Sequence, residues 1–522
     1  MPAILLSTLN ARWSHCAFGL RCLRANLGDL RELSAIREFT IQDPPALIVE
    51  RLLADSPSII GLGIYIWNLR ESTQVVRLLK TVAPAVKIII GGPEVSFQTE
   101  QEPICALADV VITGEADTAF RSVCADLLAG RPVARLVNAG KVDCAAVVLP
   151  YDEYTTQDLT QRIVYVEASR GCPFTCEFCL SSISDGVRAF PRAEFLEAMA
   201  DLIERGCRSF KFVDRTFNLS PTFATAILGF FLERWRDGML LHFELVPDRL
   251  PDELKALLVR FPPGAVQFEI GIQSFTDAVG TLISRRMHRG KTEANLTWLR
   301  ESTGIHLHTD LIIGLPGETL ASFQQSFDDL WRLQPQEIQV GILKLLKGTP
   351  LVRHVPAFDL RFNPDPPYDL LASTAFPFPL LQRLKRFAKY FDLFVNHGHF
   401  PRCIAQLQEH SPTGSPFLAL LAFADWLWAT TGQDHALART RQYELMLGYL
   451  AVLGVGEDVR LDAMAADAAA QPGTKGLPSQ LHARMEQHRR SQRVPGAVPT
   501  SILGVTHPEA HPPGVVEAPA PP

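Results

Sequence analysis

The stretch that decides how this sequence is interpreted is SRGCPFTCEFCL, residues 169–180, which holds three closely spaced cysteines. Cys172, Cys176 and Cys179 are separated by three and then by two residues. Such clustering in an intracellular chain is more typical of metal binding than of a disulfide. A structural zinc ion would need a fourth cysteine or histidine, and none follows closely. The stretch therefore predicts a metal site whose fourth ligand does not come from a nearby side chain.

The cysteine stretch follows the strand pattern RIVYVEAS, and further strand and helix pairs continue to about residue 355. Strands that alternate with helices predict parallel strands joined by right-handed crossovers. Six or more such units favour a full or partial α/β barrel, with its chemistry at the carboxyl ends of the strands. Five polar residues lie on or just past these strands: Asp214, Glu244, Glu269, Gln273 and Asp310. We expect them to converge on the mouth of the barrel, which the cysteine loop enters. The alternative for each residue is a buried hydrogen bond with a structural role.

The first 130 residues alternate strand and helix patterns in the same way, which predicts a second, doubly wound parallel sheet. Ligands of such sheets bind outside the carboxyl ends of the strands. Glycines lie at three successive strand ends, where they would let backbone approach a bulky ligand closely: Gly61 and Gly63, Gly91 and Gly92, and Gly114. Ordinary loop glycines remain the alternative. A dinucleotide site is disfavoured, because no G-x-G-x-x-G motif opens a helix.

Composition sets the remaining limits. The chain has 522 residues, 47% of them hydrophobic and 20% charged, with a net charge of −6, so neither nucleic acid nor a membrane surface is an expected partner. The N-terminus lacks signal-peptide features, and no apolar run approaches the length of about 20 residues that spans a membrane. We therefore expect a cytoplasmic protein.

Four segments are predicted: a Rossmann-like domain at 1–140, a barrel at 155–355, a helical domain at 356–470 and a tail at 471–522. The last 28 residues contain eight prolines and few large apolar side chains, so the tail is expected to be disordered. The paired histidines His397 and His399 are interpreted as solvated loop residues rather than metal ligands.

The cysteine spacing, with aromatic Phe178 before the last cysteine and a preceding barrel strand, resembles the radical S-adenosylmethionine (SAM) superfamily. The resemblance implies that the three thiolates hold three irons of a [4Fe–4S] cluster, while SAM chelates the fourth iron. FVDRTFN, FEIGIQS, RRMHRG and LIIGLPGET resemble further barrel motifs of this superfamily. They imply SAM contacts at Phe178, Asp214, Glu244, Gln273, Ile312, Gly314 and Leu315.

The N-terminal half resembles the vitamin B12-binding domains found ahead of some radical SAM barrels, through GLGIYIWN, IIIGGPEVS and VITGEAD. The implied cobalamin contacts are Thr8, Leu9, Gly61, Tyr65, Trp67, Gly91, Gly92, Pro93, Glu94, Gly114 and Glu115. Many B12 proteins place a cobalt-binding histidine in D-x-H-x-x-G. WSHCAFG departs from this pattern at Trp13 and Gly19, so His15 is not expected to bind cobalt. The C-terminal helices resemble a domain of unknown function (DUF4080-like) that accompanies one bacterial subgroup.

The resemblance implies an α/β enzyme that uses a [4Fe–4S] cluster, SAM and cobalamin, and that methylates an unactivated carbon of a small molecule or peptide. In such enzymes one SAM methylates the cobalamin, and a second yields a radical that abstracts hydrogen from the substrate. A flavodoxin or ferredoxin would supply electrons. Rearrangement or cyclisation without methylation, polar methyl transfer and a non-catalytic B12-binding regulator remain alternatives. Methylthio transfer is disfavoured, because no second cysteine cluster precedes the barrel.

Overall fold

The computed structural model describes residues 1–183, 186–471, 477 and 479–492. Contacts between residues divide the chain into two compact units. Unit 1 consists of residues 1–307, 312–319 and 342–377, and unit 2 of residues 308–311, 320–341 and 378 onward. The predicted segments 1–140 and 155–355 therefore lie largely within one unit.

A six-stranded sheet, ordered β2-β1-β3-β4-β5-β6, forms the N-terminal part of unit 1, and all of its strand pairs are parallel. Side chains alternate between its two faces, with Ile4 and Leu6 in one apolar core and Leu5 and Leu9 in the other. The sheet is therefore covered by helices on both faces, as predicted. Its elements are β1 Ile4–Asn10, α1 Phe18–Ala25, β2 Ser34–Thr40, α2 Pro45–Leu53, β3 Ile59–Gly63, α3 Leu69–Val82, β4 Lys87–Gly91, α4 Pro103–Leu107, β5 Val110–Thr113, α5 Ala119–Leu128 and β6 Leu136–Asn138.

The strand order reverses at β1, because the chain passes to β2 on one side of it and then to β3 on the other. Ligands of doubly wound sheets bind in the crevice that such a reversal opens at the carboxyl ends of the strands. Here those ends are Asn10 of β1 and Gly63 of β3. The topology thus predicts a ligand site next to the carboxyl ends of β1 and β3.

A second six-stranded sheet has the order β14-β13-β12-β11-β10-β7, which confirms the predicted partial barrel. The neighbouring strands β7, β10, β11 and β12 run parallel. Elements of this part of the chain are α6 Thr156–Gln161, β7 Val164–Val166, β8 Ser169–Cys172, β9 Gly186–Ala189, α7 Arg192–Glu204, β10 Ser209–Phe212, α8 Pro221–Glu233, β11 Leu240–Glu244, α9 Asp252–Leu258, β12 Val266–Gln273, α10 Asp277–Leu282, α11 Arg289–Ser302, β13 His306–Ile313, α12 Leu320–Arg332, β14 Glu337–Ile342, α13 Val355–Phe358, β15 Arg361–Phe362 and β16 Leu370–Ala372.

A buried network of charges joins the N-terminal sheet to the start of the barrel. Arg21 on α1 pairs with Glu38 of β2 at 3.0 Å and with Asp158 of α6 at 2.9 Å. Arg162 contacts the same two carboxylates at 2.7 and 2.8 Å. Burial would raise the pKa of Glu38, but the two arginines lower it to about 2. Both carboxylates are thus held ionised where the two parts of unit 1 meet.

The remaining elements are helical: α14 Phe378–Phe391, α15 Pro401–His410, α16 Pro416–Thr431, α17 Arg439–Val452, α18 Glu457–Ala469 and α19 Ser479–Gln492. Within the part of the chain that the structure describes, no helix is long and apolar enough to cross a membrane.

Helix α19 lies inside the segment that the sequence analysis assigns to a disordered tail. Arg484 pairs with Asp458 of α18 at 2.6 Å, and His488 lies 2.9 Å from Asp462 of the same helix. Leu481 and Met485 are buried. The predicted start of the tail at residue 471 is therefore wrong for residues 479–492, and residues 493–522 lie outside the described part of the chain.

Candidate active site

Unit 1 contains a cavity of about 810 Å³ at the carboxyl ends of β1, β3, β4 and β5. Its opposite wall comes from the barrel, through Tyr165, Glu167, Arg170, Val213 and Arg215. The volume lies near the upper end for pockets that bind organic ligands. Eight of the predicted cobalamin residues line it: Gly61, Tyr65, Trp67, Gly91, Gly92, Pro93, Gly114 and Glu115.

Thr8 and Leu9 support the cavity wall from behind. The hydroxyl of Thr8 donates to the carbonyl of Gly63 at 2.7 Å and accepts from Asn68 Nδ2 at 3.1 Å. The carbonyl of Leu9 accepts from Asn68 Nδ2 at 3.0 Å and from Trp67 Nε1 at 3.1 Å. These bonds fix the loop after β3, so the structure gives Thr8 and Leu9 a role in shaping the loop.

The rings of Tyr65 and Trp67 stack with centroids 4.5 Å apart and planes inclined by 4°. Asn68 Oδ1 accepts from the backbone amide of Tyr65 at 2.8 Å, which closes the loop on itself. Burial raises the pKa of Tyr65 to about 12, so its phenol stays protonated at neutral pH. The stacked pair forms a flat aromatic surface at the end of β3.

The glycines of this wall are required by the packing of the chain itself. A Cβ on Gly61 would lie 2.8 Å from the ring of Phe120, which also lines the cavity. Gly92 has φ +114°, and a Cβ there would lie 2.4 Å from the carbonyl oxygen of Ile64. Gly114 has φ +81°, and a Cβ there would lie 2.7 Å from the carbonyl oxygen of Gly140. Gly92 and Gly114 therefore require glycine whether or not a ligand lies beside them, and a larger residue at Gly61 would require the Phe120 ring to move.

Glu94 does not line the cavity. Its buried carboxylate pairs with Lys347 at 2.5 Å and accepts a hydrogen bond from the hydroxyl of Tyr368. The sequence analysis assigned Glu94 to the cobalamin, but the structure places both of these partners after β14, the last barrel strand. That distant pairing has no signal in the local sequence.

Cys172 ends β8, and Cys176 and Cys179 lie on the loop that leads to β9. Strands β8 and β9 pair as an antiparallel hairpin. Cys176 is buried, and Arg285 Nη1 lies 3.5 Å from its sulfur. Burial raises the pKa of the Cys176 thiol, and the charge of Arg285 acts in the opposite direction. The sulfur of Cys172 is 3.8 Å from the hydroxyl of Thr216.

This donor set suits an iron–sulfur cluster. Three thiolates bind three irons of a [4Fe–4S] cluster and leave one iron open to a small-molecule ligand. Among the described residues, no three His, Cys, Asp or Glu side chains are gathered as a single metal ion requires. A cluster spreads its cysteine ligands over separate irons, so it does not require them around one point. The positive charge of Arg285 would stabilise such a thiolate-bound cluster.

Asp214 shapes the start of the cysteine hairpin. Its carboxylate accepts from the amide of Ala168 at 2.9 Å and from the hydroxyl of Ser169 at 2.6 Å. Burial raises its pKa to about 6, although these hydrogen bonds act against the rise. Glu244, also predicted to contact SAM, pairs with Arg215 at 3.3 Å. Asp214 thus holds the loop, while Glu244 holds an arginine of the cavity wall.

Gln273 is the predicted SAM residue whose geometry most suggests a ligand. It ends β12 with φ +69°, and its Oε1 is buried without a hydrogen-bond partner among the described residues. Buried polar atoms are nearly always paired, so such an atom calls for a ligand or water. Arg285, which contacts Cys176, also donates to the carbonyl of Gly271 two residues earlier. Gln273 therefore lies close to the cysteine loop.

Gly314 and Leu315 follow β13, which carries Ile312. Gly314 has φ +91°, and its amide donates to Glu318 at 3.0 Å. Burial raises the pKa of Glu318 to about 8, and Leu315 is only 2% exposed. The hydrogen bond between Gly314 and Glu318 holds this turn in place. Glu318 is a buried acid within LIIGLPGET that the sequence analysis missed.

Phe178, the predicted SAM residue on the cysteine loop, is partly exposed.

A cluster of charges on the barrel side of the cavity was also missed. Arg170 pairs with Asp117 at 2.9 Å and with Glu167 at 2.9 Å, and its Nη1 is 3.5 Å from Glu115. Burial raises the pKa of Glu167 to about 7, although Arg170 acts against it. Arg188 of β9 also pairs with Glu115. The predicted cobalamin residue Glu115 is thus tied to both strands of the cysteine hairpin.

Comparisons with known proteins agree with this geometry. Three family models match: the radical SAM superfamily over residues 166–330, the B12 binding domain over 11–124 and a protein family of unknown function (DUF4080) over 356–494. Fold and site together define a radical SAM protein with a cofactor cavity beside its cluster loop. The chain therefore combines a B12-binding domain, a radical SAM domain and a C-terminal DUF4080 domain.

Among its sequence relatives is the uncharacterised methyltransferase PH0819 of Pyrococcus horikoshii, 23% identical over 64% of this chain and 76% of the relative. The cobalamin-dependent radical SAM methyltransferase TokK of Streptomyces tokunonensis is 24% identical over 79% of this chain. The chain spans 64% of TokK, slightly less than two thirds. The solved structure of the cobalamin-dependent enzyme OxsB, with aqua-cobalamin bound, has the same fold, with a TM-score of 0.62 at 13% identity over 94% of this chain and 80% of that one.

These matches confirm the predicted fold class, the enzyme class and the cofactors, which are a [4Fe–4S] cluster, SAM and cobalamin. They also include a relative, TokK, that is a cobalamin-dependent radical SAM methyltransferase. The assignments of individual residues to each cofactor remain predictions.

Proposed function

We propose that this enzyme transfers a methyl group to an unactivated carbon of a small molecule or peptide. The observation that supports this proposal most directly is the cavity in unit 1. The strand ends of the B12-binding domain form one wall, and Tyr165, Arg170 and Gly171 of the barrel form the other, next to Cys172. Cobalamin on the first wall would therefore lie close to the cluster loop.

When bound, the cluster with SAM supplies a carbon radical, and cobalamin supplies a methyl carrier. The chain holds the cluster through Cys172, Cys176 and Cys179, with Arg285 beside the buried thiolate. Gln273 Oε1 offers an unused acceptor to SAM, and Gly314 and Leu315 offer a fixed turn. Tyr65 and Trp67 give cobalamin an aromatic surface.

Two further parts of the proposal concern the surroundings of the enzyme. The cluster must receive single electrons of low potential, which flavodoxins and ferredoxins carry. We propose a donor of that type and a cytoplasmic location, where such donors and reduced thiols occur together. Rearrangement or cyclisation without methylation would use the same cofactors, and products alone distinguish it from methyl transfer.

The test is an anaerobic assay of the full chain, reconstituted with iron, sulfide and hydroxocobalamin, then given SAM and a low-potential reductant. 5′-Deoxyadenosine and S-adenosylhomocysteine are quantified by mass spectrometry. Formation of both, dependent on cobalamin and on Cys176, is the expected result. A Cys176→Ala variant and a cobalamin-free sample are the controls.

Other outcomes would redirect the assignment. 5′-Deoxyadenosine alone would favour rearrangement or cyclisation, and S-adenosylhomocysteine alone would favour polar methyl transfer. A fully loaded enzyme that formed neither product across a panel of small-molecule and peptide substrates would contradict methyl transfer and favour a regulatory role.

A further inference from the structure

A short segment after β14, the last barrel strand, contacts both cofactor loops of unit 1. The segment consists of residues 347–354, with the sequence KGTPLVRH, and we call it the strap. Its first residue, Lys347, contacts the loop after β4, and its last residues contact the cysteine loop. The strap belongs to neither the B12-binding sheet nor the barrel strands.

The contact with the B12-binding domain is buried and ionic. Lys347, whose side chain is 8% exposed, lies 2.5 Å from both Glu94 and Glu102. Its ammonium group is 5.1 Å from the ring centre of Tyr368, whose hydroxyl donates to Glu94. Removing one partner from a buried ion pair is costly, so this end of the strap is firmly held.

Gly348 strengthens the same end of the strap. It has φ +80°, and a Cβ there would lie 2.5 Å from the ring of Phe97. Phe97 follows Pro93 and Glu94 in the loop whose first residues, Gly91 to Pro93, line the cobalamin cavity. The strap backbone thus packs directly against the loop that would contact cobalamin.

The contact with the cluster loop is also buried. Glu177 lies between Cys176 and Cys179 and is 1% exposed. Its carboxylate accepts from Arg353 Nε at 2.7 Å and lies 2.6 Å from His354 Nε2, and its carbonyl accepts from the amide of Leu351 at 2.9 Å. A carboxylate bound to several donors holds its loop in one position.

We propose that the strap couples the two cofactor sites, so that cobalamin bound at the loop after β4 stabilises the cluster held by the cysteine loop. This inference rests on the proposed binding of both cofactors in unit 1. Cobalamin against Gly91 to Pro93 would hold the loop that carries Glu94, the partner of Lys347. Residues 348–352 then connect Lys347 to the donors of Glu177. Coupling between two sites is reciprocal, so the cluster also strengthens cobalamin binding.

The experiment measures how fast iron leaves the reconstituted cluster in the presence of an excess of an iron chelator, with and without hydroxocobalamin. Iron, sulfide and cobalamin contents are determined first. In the unsubstituted enzyme, cobalamin is expected to slow iron loss at least about fivefold, the lower end of common coupling strengths. Lys347→Met and Glu177→Gln are expected to bring the ratio of the two iron-loss rates, without and with cobalamin, close to one.

Lys80→Met is the matched control, because Lys80 pairs with Asp109 in the same sheet domain and contacts neither cofactor loop. Lys80→Met should keep the full ratio of iron-loss rates without and with cobalamin. Glu177→Gln keeps the size of the side chain, so it decides the question if Lys347→Met does not fold. Cobalamin affinity should fall in Glu177→Gln only when the cluster is present, an effect that simple loss of stability would not produce.

Two results would overturn the inference. The first is an enzyme that binds both cofactors yet loses iron at the same rate with and without cobalamin. The second is retention of the full ratio in both Lys347→Met and Glu177→Gln, which would overturn the coupling and leave methyl transfer intact. A protein that binds neither cofactor overturns the proposed function and the coupling together.

Discussion

His15 and Tyr165 lie within hydrogen-bond distance across the cavity of unit 1, with 2.6 Å between His15 Nδ1 and the phenol oxygen. Their rings are stacked with centroids 6.1 Å apart. His15 follows β1 of the B12-binding sheet, and Tyr165 lies on the first barrel strand. The pair therefore links the two parts of unit 1, and the barrel holds the ring of the histidine.

The position of His15 also leads to a prediction about cobalt. We expect His15→Ala to leave the electron paramagnetic resonance spectrum of bound cob(II)alamin unchanged, because WSHCAFG departs from the cobalt-binding pattern D-x-H-x-x-G at Trp13 and Gly19. Tyr165→Phe, which frees the ring, is the companion variant. A nitrogen splitting that disappears in His15→Ala would show that His15 binds cobalt.

The cysteine triad predicts a selective loss of iron. Cys176→Ala removes one of three thiolates, so iron and sulfide contents should fall severely and 5′-deoxyadenosine formation should cease. Bound cobalamin, measured by its visible absorbance, should change much less. Cys207→Ala is the matched control, because Cys207 is fully buried in the barrel and bonds to the carbonyl of Ser209. Equal iron loss in both variants would contradict the assignment.

Gly92 is predicted to be the least replaceable residue of the cobalamin loop. Gly92→Ala combines a positive φ of +114° with a Cβ only 2.4 Å from the carbonyl oxygen of Ile64. The positive φ alone costs an L-residue about 1–2 kcal/mol. We expect the free energy of urea unfolding to fall by more than about 2 kcal/mol and cobalamin affinity to fall as well.

Gly130→Ala separates backbone strain from steric overlap. Gly130 has φ +67°, but a Cβ there would meet nothing within 4 Å. Gly130→Ala should lower the free energy of unfolding by about 1 kcal/mol and leave cobalamin affinity unchanged. Equal losses in the two variants would mean that the contact with Ile64 is unimportant.

Unit 2 should show a characteristic pH dependence through His308. Burial would lower the pKa of His308, but Asp310 at 3.2 Å and Glu337 at 3.1 Å raise it to about 11. A histidine whose pKa is raised on folding contributes stability that is complete below its unfolded pKa of about 6.5 and is lost as the pH rises towards 11.

His308→Gln tests this dependence by urea unfolding at several pH values. The difference in unfolding free energy between the native protein and the variant should be largest below pH 6.5 and should shrink steadily above it. His435→Gln is the control, because that side chain is 80% exposed and its loss should matter little at any pH. A difference that grew with pH would contradict the charged state of His308.

Five of the six N-terminal strands could be predicted. Four of them, β1, β3, β4 and β5, are mainly apolar runs, and β2 combines apolar residues with Arg37 and Glu38. Strand β6 was not predicted, since Leu136 and Asn138 are exposed and LVN has no buried face. Nor was the hairpin β8–β9, because its residues show neither apolar alternation nor a short turn. These elements form by pairing with neighbours, which one segment alone does not encode.

The helix at 479–492 escaped prediction for a similar reason. Its sequence is mainly polar and charged, and its contacts are with α18, to which Arg484 bonds. Short helices in proteins are stabilised mainly by tertiary packing, which the sequence of the helix alone does not show. The same limit applies to the candidate site. Glu94 was assigned to cobalamin, but it pairs with Lys347, which lies 253 residues away in the sequence.

The sequence by itself determined the two alternating β/α segments, the three cluster cysteines and the glycines at the strand ends. These features depend on spacing within a few residues, which the chain carries locally. Only the tertiary structure decided that Glu115, Asp117 and Glu167 surround Arg170, that His15 meets Tyr165 and that the strap holds Glu94 and Glu177. Such partners are set by the packing of distant segments, because burial forces each charged group to find a counterpart wherever the fold supplies one.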